Sequence, residues 1–175
     1  PAVPSPTSNG NQTICVGQTL PNLSVAVGSN TTVDWYSAAS SGTLLQTGNT
    51  NYTPTAAGTY YAQARNTINN CTSSSRTAVS LTINALPTIA VASTVCSNDL
   101  LTYTATMTTN GTITNTTGGT ISGNTIINIP ANTSITVTTT LAGCTNSIVV
   151  NAPVCSCPAV PSPTSNGNQT ICVGQ

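Results

Sequence analysis

Cysteine is the residue type in this chain best placed to do chemistry. Seven occur: Cys15, Cys71, Cys96, Cys144, Cys155, Cys157 and Cys172. Thiols in this number form disulfides in an oxidising compartment, bind zinc, or stay buried as small apolar groups. Zinc fits poorly, because the chain has no His and Cys155-Ser156-Cys157 lacks the wider spacing of paired zinc ligands. Disulfides are therefore the expected chemistry. The other candidates are few: Asp34, Asp99, Arg65 and Arg76 carry all the side-chain charge, with no Lys and no Glu. General acid–base catalysis needs His, paired carboxylates or a tuned Lys, and a calcium site needs clustered oxygens, usually carboxylates. Two Asp residues far apart in sequence supply neither, and no phosphate-cradling glycine motif occurs. Hence no catalytic, metal or cofactor-binding residue is assigned, no cofactor is expected, and an enzyme is not expected.

The same scarcity of charge limits partners. Without a basic patch there is nothing to hold phosphate, so nucleic acid is not an expected partner. No apolar run reaches the roughly 18 residues of a membrane helix, so this segment is not expected to insert into a bilayer.

Two segments are identical. Pro1–Gln18 reads PAVPSPTSNGNQTICVGQ and recurs unchanged at Pro158–Gln175, a repeat with a period of 157 residues. A long fixed period points to a tandem array, in which neighbouring identical repeats of the same chain are the first partners. An artificially duplicated end, or a subunit whose tail copies its own head, is the alternative. Cys172 is then the copy of Cys15, and each period holds an even set of six cysteines, which suits disulfides in an extracellular setting.

The elements that must position these residues are strands. Thr, Ser, Asn, Gly and Val dominate, and these are poor helix formers. Leu23, Val25 and Val27 alternate with Ser24 and Ala26, and Val33 and Trp35 share one strand face with Asp34 and Tyr36 on the other. Thr43–Thr47, Gly58–Arg65 and Arg76–Asn84 continue the series, with turns at Gly28-Ser29-Asn30, Ser40-Ser41-Gly42 and Asn66–Asn70. About seven short strands at such spacing predict a sandwich or a barrel, and a Trp in the third strand favours the sandwich. Trp35 and Tyr60 are expected in its core; the competing reading is Trp35, with Tyr36, as an exposed sugar-stacking platform. Asp34 is expected to pair with Arg65 or Arg76.

Ile14-Cys15-Val16-Gly17-Gln18, Val33-Asp34-Trp35-Tyr36, Gly58-Thr59-Tyr60-Tyr61-Ala62 and Cys71-Thr72 together resemble the tandem immunoglobulin-like repeats of Bacteroidota surface adhesins, including SprB-type filaments. The resemblance implies an extracellular, cell-surface protein exported by type IX secretion, with gliding motility as one role. The chain departs from antibody-type domains at Ala62, where those carry a Cys, so the usual disulfide through the core is missing.

The second half reads as a divergent copy. Thr94-Val95-Cys96 parallels Thr13-Ile14-Cys15, Cys144-Thr145 echoes Cys71-Thr72, and Leu101, Tyr103, Ala105 and Met107 alternate with threonines. An all-β chain of tandem immunoglobulin-like sandwiches, two per period, is the expected fold: 1–11 linker, 12–86 first sandwich, 87–153 second sandwich, 154–168 linker, and 169–175 the start of the next domain. The parallel placement suggests Cys15–Cys71 and Cys96–Cys144 as bridges. Cys155 and Cys157 are left to bond each other, to tie the linker to a neighbouring domain, or to cross-link chains, the local pair being preferred.

The function expected is structural, a stalk or filament repeat of a giant surface adhesin. Two alternatives stand beside it: a separate subunit of a strand-exchanged filament, and a carbohydrate-binding module built on Trp35. Lateral self-association is open to so uncharged a surface. The tip ligand is not written in this stretch.

Overall fold

A computed structural model of the chain describes residues 2–156, and every regular element among them is a strand. Cys157 and the stretch 157–175, which holds most of the expected second linker and the start of the next domain, lie outside the described residues.

Residues up to Asn84 form two facing sheets. The first holds β1 (Thr7–Ser8), β3 (Leu23–Ala26) and β6 (Asn51–Tyr52), in the order β1-β3-β6. The second holds β2 (Gln12–Cys15), β8 (Thr77–Asn84), β7 (Gly58–Asn66), β4 (Thr31–Tyr36) and β5 (Leu44–Gln46), in the order β2-β8-β7-β4-β5. The pair β2–β8 is parallel, running from Gln12 beside Leu81 to Cys15 beside Asn84. The proline-rich opening is thus more than the linker expected over 1–11. Ser5 Oγ lies 2.8 Å from Ser75 Oγ, Pro6 is buried and accepts a hydrogen bond from Thr77, and Thr7–Ser8 pairs with β3. Proline lacks a donor, so such a segment suits an edge.

The alternation read in the sequence builds the core between these sheets. Leu23, Val25, Val33, Trp35, Ala62, Val79 and Leu81 are buried together. Trp35 lies opposite Ala62 and Val33 opposite Ala64, so small residues on β7 make room for large ones on β4.

The remaining strands form a second pair of sheets: β9 (Ile89–Cys96), β10 (Thr102–Thr109), β13 (Thr125–Pro130) and β12 (Thr120–Ser122) in the order β12-β13-β10-β9, and β11 (Thr112–Thr116), β14 (Ile135–Leu141) and β15 (Cys144–Val150) in the order β11-β14-β15. With these strands lettered A to G in chain order, one sheet is ABED and the other CFG, the order of constant-type immunoglobulin sandwiches. Tyr103, an aromatic residue, joins Ala105, Met107, Ile126, Ile129, Ile135, Val137 and Val150 in its core. Ile126 and Ile129 are three apart, out of step with a strand's period of two. A register shift in the β10–β13 pair and Asn128 at φ 57° bring both inward. Hydroxyls take the place of charges on the outer faces: Thr138 meets Ser147 at 2.8 Å, Thr114 meets Thr140 at 2.9 Å, and Thr59 meets Ser80 at 2.9 Å.

Candidate functional site

Three constellations gather the residues that the sequence singled out. The first surrounds Trp35, which is 0% exposed, so the sugar-platform reading of this residue is overturned. Its indole N–H donates to the Asn49 carbonyl at 2.9 Å, and its ring stacks on Tyr52 with centroids 5.5 Å apart. Tyr60, half-buried, continues the row at 5.0 Å from Tyr52 and donates its hydroxyl to the Ala56 carbonyl at 2.8 Å. Tyr60 stands near the start of β7 and bonds back to backbone just upstream, as the tyrosine of the corner motif of immunoglobulin sandwiches does. Burial, with Tyr60 alongside, pushes the Tyr52 hydroxyl pKa up.

The second constellation lies on the outer side of β4 and β7. Asp34 receives Arg65 Nε at 2.7 Å and Arg65 Nη2 at 3.2 Å, with Thr47 Oγ1 at 2.6 Å and the Gly48 N–H at 3.0 Å. Burial alone would raise this carboxyl's pKa. The hydrogen bonds from Arg65, Thr47 and Gly48 outweigh it together and hold Asp34 below the ordinary carboxylate value. Of the two arginines expected as partners, Arg65 takes Asp34. Arg76 instead lies over the Tyr36 ring at 3.4 Å and donates to the carbonyls of Ala38 at 2.7 Å and Ser41 at 2.6 Å. Both arginines are thus engaged in fixing loops. Asp99 accepts from Ser97 and from the Leu101 N–H at 3.0 Å, a local turn. Among the described residues no group of His, Cys, Asp and Glu could hold a metal.

The third constellation is the joint between the two sandwiches, and here the expected cysteine pairing is corrected. Cys15 bonds Cys144, with Cα atoms 5.7 Å apart, and Cys96 bonds Cys155, also at 5.7 Å. Cys71 is a free, exposed thiol. The reason is which pole each residue occupies. Because β2 runs parallel to β8, Cys15 lies beside the last residue of β8, whereas Cys71 precedes the first, with the whole strand between them. Likewise Cys96 ends β9 while Cys144 opens β15 beside the entry to β9, where Asn146 Nδ2 donates to the Pro87 carbonyl at 2.9 Å. The local Cys155–Cys157 pair is excluded by the Cys96–Cys155 bridge.

Only Ala85–Thr88 separate β8 from β9. Around them Asn84 Nδ2 donates to the Ala142 carbonyl at 2.9 Å, and the Val16 N–H to the Asn84 carbonyl at 2.9 Å. Ala142 (φ 49°) and Gly143 (φ 80°) form the two-residue turn that delivers Cys144 to the bridge. Cys144 is 1% exposed. A shallow groove beside the joint, lined by Thr88, Ile89, Ala90, Thr108, Thr109 and Asn110, carries no charged or titratable group.

Comparison with known proteins agrees with this architecture. Residues 1–84 match the family model described as "Ig-like domain CHU_C associated". Among solved structures, the chain resembles the N-terminal eight Ig domains of Down Syndrome Cell Adhesion Molecule (DSCAM) isoform 1.30.30. That match has a TM-score of 0.53 and 13% identity, and covers 87% of this chain and 27% of that one. Sidekick-1 immunoglobulin domains 1–4 match at a TM-score of 0.44 and 13% identity, over 83% of this chain and 48% of that one. The chain therefore spans less than half the length of either, and at such identity the DSCAM likeness shows the fold alone. No curated protein matches the chain. The chain is all-β and carries an immunoglobulin-like repeat.

Proposed function

We propose that this chain is a structural repeat of a long extracellular stalk, a rigid spacer that holds a binding tip away from a cell surface. The observation that carries the reading is the joint: a disulfide and side-chain hydrogen bonds fix one sandwich on the next across a connection of only Ala85–Thr88. A ligand-binding module needs a cleft with convergent polar groups; the groove beside this joint is lined by no charged residue, and Asp34, Arg65 and Arg76 are engaged with one another's strands and with loops of the first sandwich. The bridges suit an oxidising, extracellular compartment.

The exact repeat extends the reading to a covalent array. Ser162 is the copy of Ser5, which is itself anchored on Ser75. By sequence, six residues, 156–161, then separate Cys155 from that copy, and Pro158 and Pro161 are among them. By resemblance, the source is a Bacteroidota surface adhesin exported by type IX secretion, with gliding motility as one use of such a stalk. The test is the reduced, denatured mass of the native polypeptide. A mass many times one period supports the array, and a mass near one period rules it out.

One observation favours a second reading. The repeated stretch includes Thr7–Cys15, the very segment that supplies β1 and β2. In a filament of separate subunits, 164–172 of one chain would take the place of 7–15 in the next, as in strand addition. The same mass measurement separates the two.

A further inference from the structure

The Cys15–Cys144 bridge does more than hold the two sandwiches together, whereas Cys96–Cys155 ties the second sandwich to its own exit. Cys15 closes the second strand of the chain and Cys144 opens the last, so the bond between them links the way in to the way out. All of β3–β14 lies inside the loop that this bond closes. We propose that the Cys15–Cys144 bridge is a load-bearing shortcut: tension entering through β2 crosses to β15 by the S–S bond, leaving 16–143 outside the line of force.

Where two covalent paths join the same two points, the shorter one is drawn taut first and carries the load. Here one path is a single disulfide, and the other is the backbone from 16 to 143. That backbone cannot be drawn out while the bond stands. At roughly 3.3–3.6 Å per extended residue, about 430 Å of chain is withheld in this way. What tension can extract is the head as far as Cys15 and the tail beyond Cys144. The second bridge lies off this path, because it joins Cys155, already on the tail, back to Cys96 inside the closed loop. Burial shields one side of the bond: Cys144 is 1% exposed, whereas Cys15 is half-buried, so an exchanging thiol has to approach from the Cys15 side. Folded sandwiches of ordinary kind lengthen several-fold when they unfold under load. This one would release only the head up to Cys15 and the tail from Cys144 for as long as the bond stands.

This inference deepens the stalk reading and rests on it only for its use. The test is to pull the 175-residue chain by its two ends in a single-molecule experiment, oxidised and again after reduction and alkylation. The reduced chain is expected to extend roughly 430 Å further than the oxidised one. The paired variant Cys15→Ser with Cys144→Ser, left oxidised, should recover more than half of that difference. Cys96→Ser with Cys155→Ser should stay short. Extended contour is set by covalent connectivity, so the reading does not depend on either variant's stability. Equal extension of oxidised and reduced chains overturns the proposal, as does a Cys15→Ser, Cys144→Ser chain no longer than the parent. A failed stalk reading shows itself elsewhere, as a native mass near one period.

Discussion

Trp35 and Ala62 face each other across the β4–β7 pair, the largest buried side chain of the first sandwich opposite one of the smallest. The space that Ala62 leaves is what lets the indole lie flat between the sheets and reach the Asn49 carbonyl. Ala62→Leu should therefore overpack the core and cost about 1–3 kcal/mol. Trp35→Ala should cost about 3–5 kcal/mol through lost contacts and the cavity left behind. Urea unfolding followed by circular dichroism checks both, and equal midpoints for Ala62→Leu and the parent would show that the site is looser than its geometry implies.

The Cys15–Cys144 bridge closes a sequence separation of 129 residues. In the chain-entropy account a loop of that size contributes about 5 kcal/mol, and that of Cys96–Cys155, with a separation of 59, about 4 kcal/mol. Replacing Cys15 and Cys144 together by Ser should lower the thermal midpoint strongly. Cys71→Ser, at an exposed free thiol, should change stability by less than about 0.5 kcal/mol. A large loss in the Cys71 variant would mean that this residue is bonded in the folded chain.

Asp34 gives the chain its main dependence on acid. Its folded pKa lies below the ordinary carboxylate value of about 3.9. The stability it contributes is therefore complete above that value and is lost as pH falls through the lowered one. The parent should lose stability on acidification below about pH 4. Asp34→Asn should be weaker at pH 7 by about 2 kcal/mol, since hydrogen bonds to a charged group are lost, and flatter with pH in the acid range. Unfolding midpoints from pH 2 to pH 7 decide this, and parallel profiles for parent and variant would count against it.

Ala142 holds a left-handed conformation, φ 49°, at the first position of its turn, where such turns favour Asn or Gly. A non-glycine residue there costs roughly 1–2 kcal/mol, part of which glycine gives back through its freer unfolded chain. Ala142→Gly should thus stabilise the chain by about 0.5–1 kcal/mol without disturbing the bridge at Cys144. A lower melting temperature for this variant would contradict it.

Much of this was legible in the residues. Alternation placed Leu23, Val25, Val33, Trp35, Tyr103, Ala105 and Met107 on strands, with these side chains in the two cores. The cysteine partners were not legible, for a physical reason. Whether two strand ends share a pole depends on which strand each pairs with, and nothing in Gln12–Cys15 announces a parallel alignment with Thr77–Asn84. Comparing the two halves aligned Cys15 with Cys96 and Cys71 with Cys144, but that equivalence lies along the chain. The bond forms between the bottom of one sandwich and the top of the next. The proline-rich opening was ambiguous for a similar reason: an edge strand and an extended linker share the same backbone preferences.

The two arginines, each held against the first sandwich, also decide where the chain can be digested. A trypsin-like protease cuts after Arg or Lys, and in this sequence only Arg65 and Arg76 qualify. Arg65 lies within β7 and is clasped to Asp34, and Arg76 lies just ahead of β8, with its guanidinium on two loop carbonyls. Neither peptide bond can enter a protease cleft until that sandwich opens, so cleavage would track the population of the open form. The second sandwich offers such an enzyme no site at all.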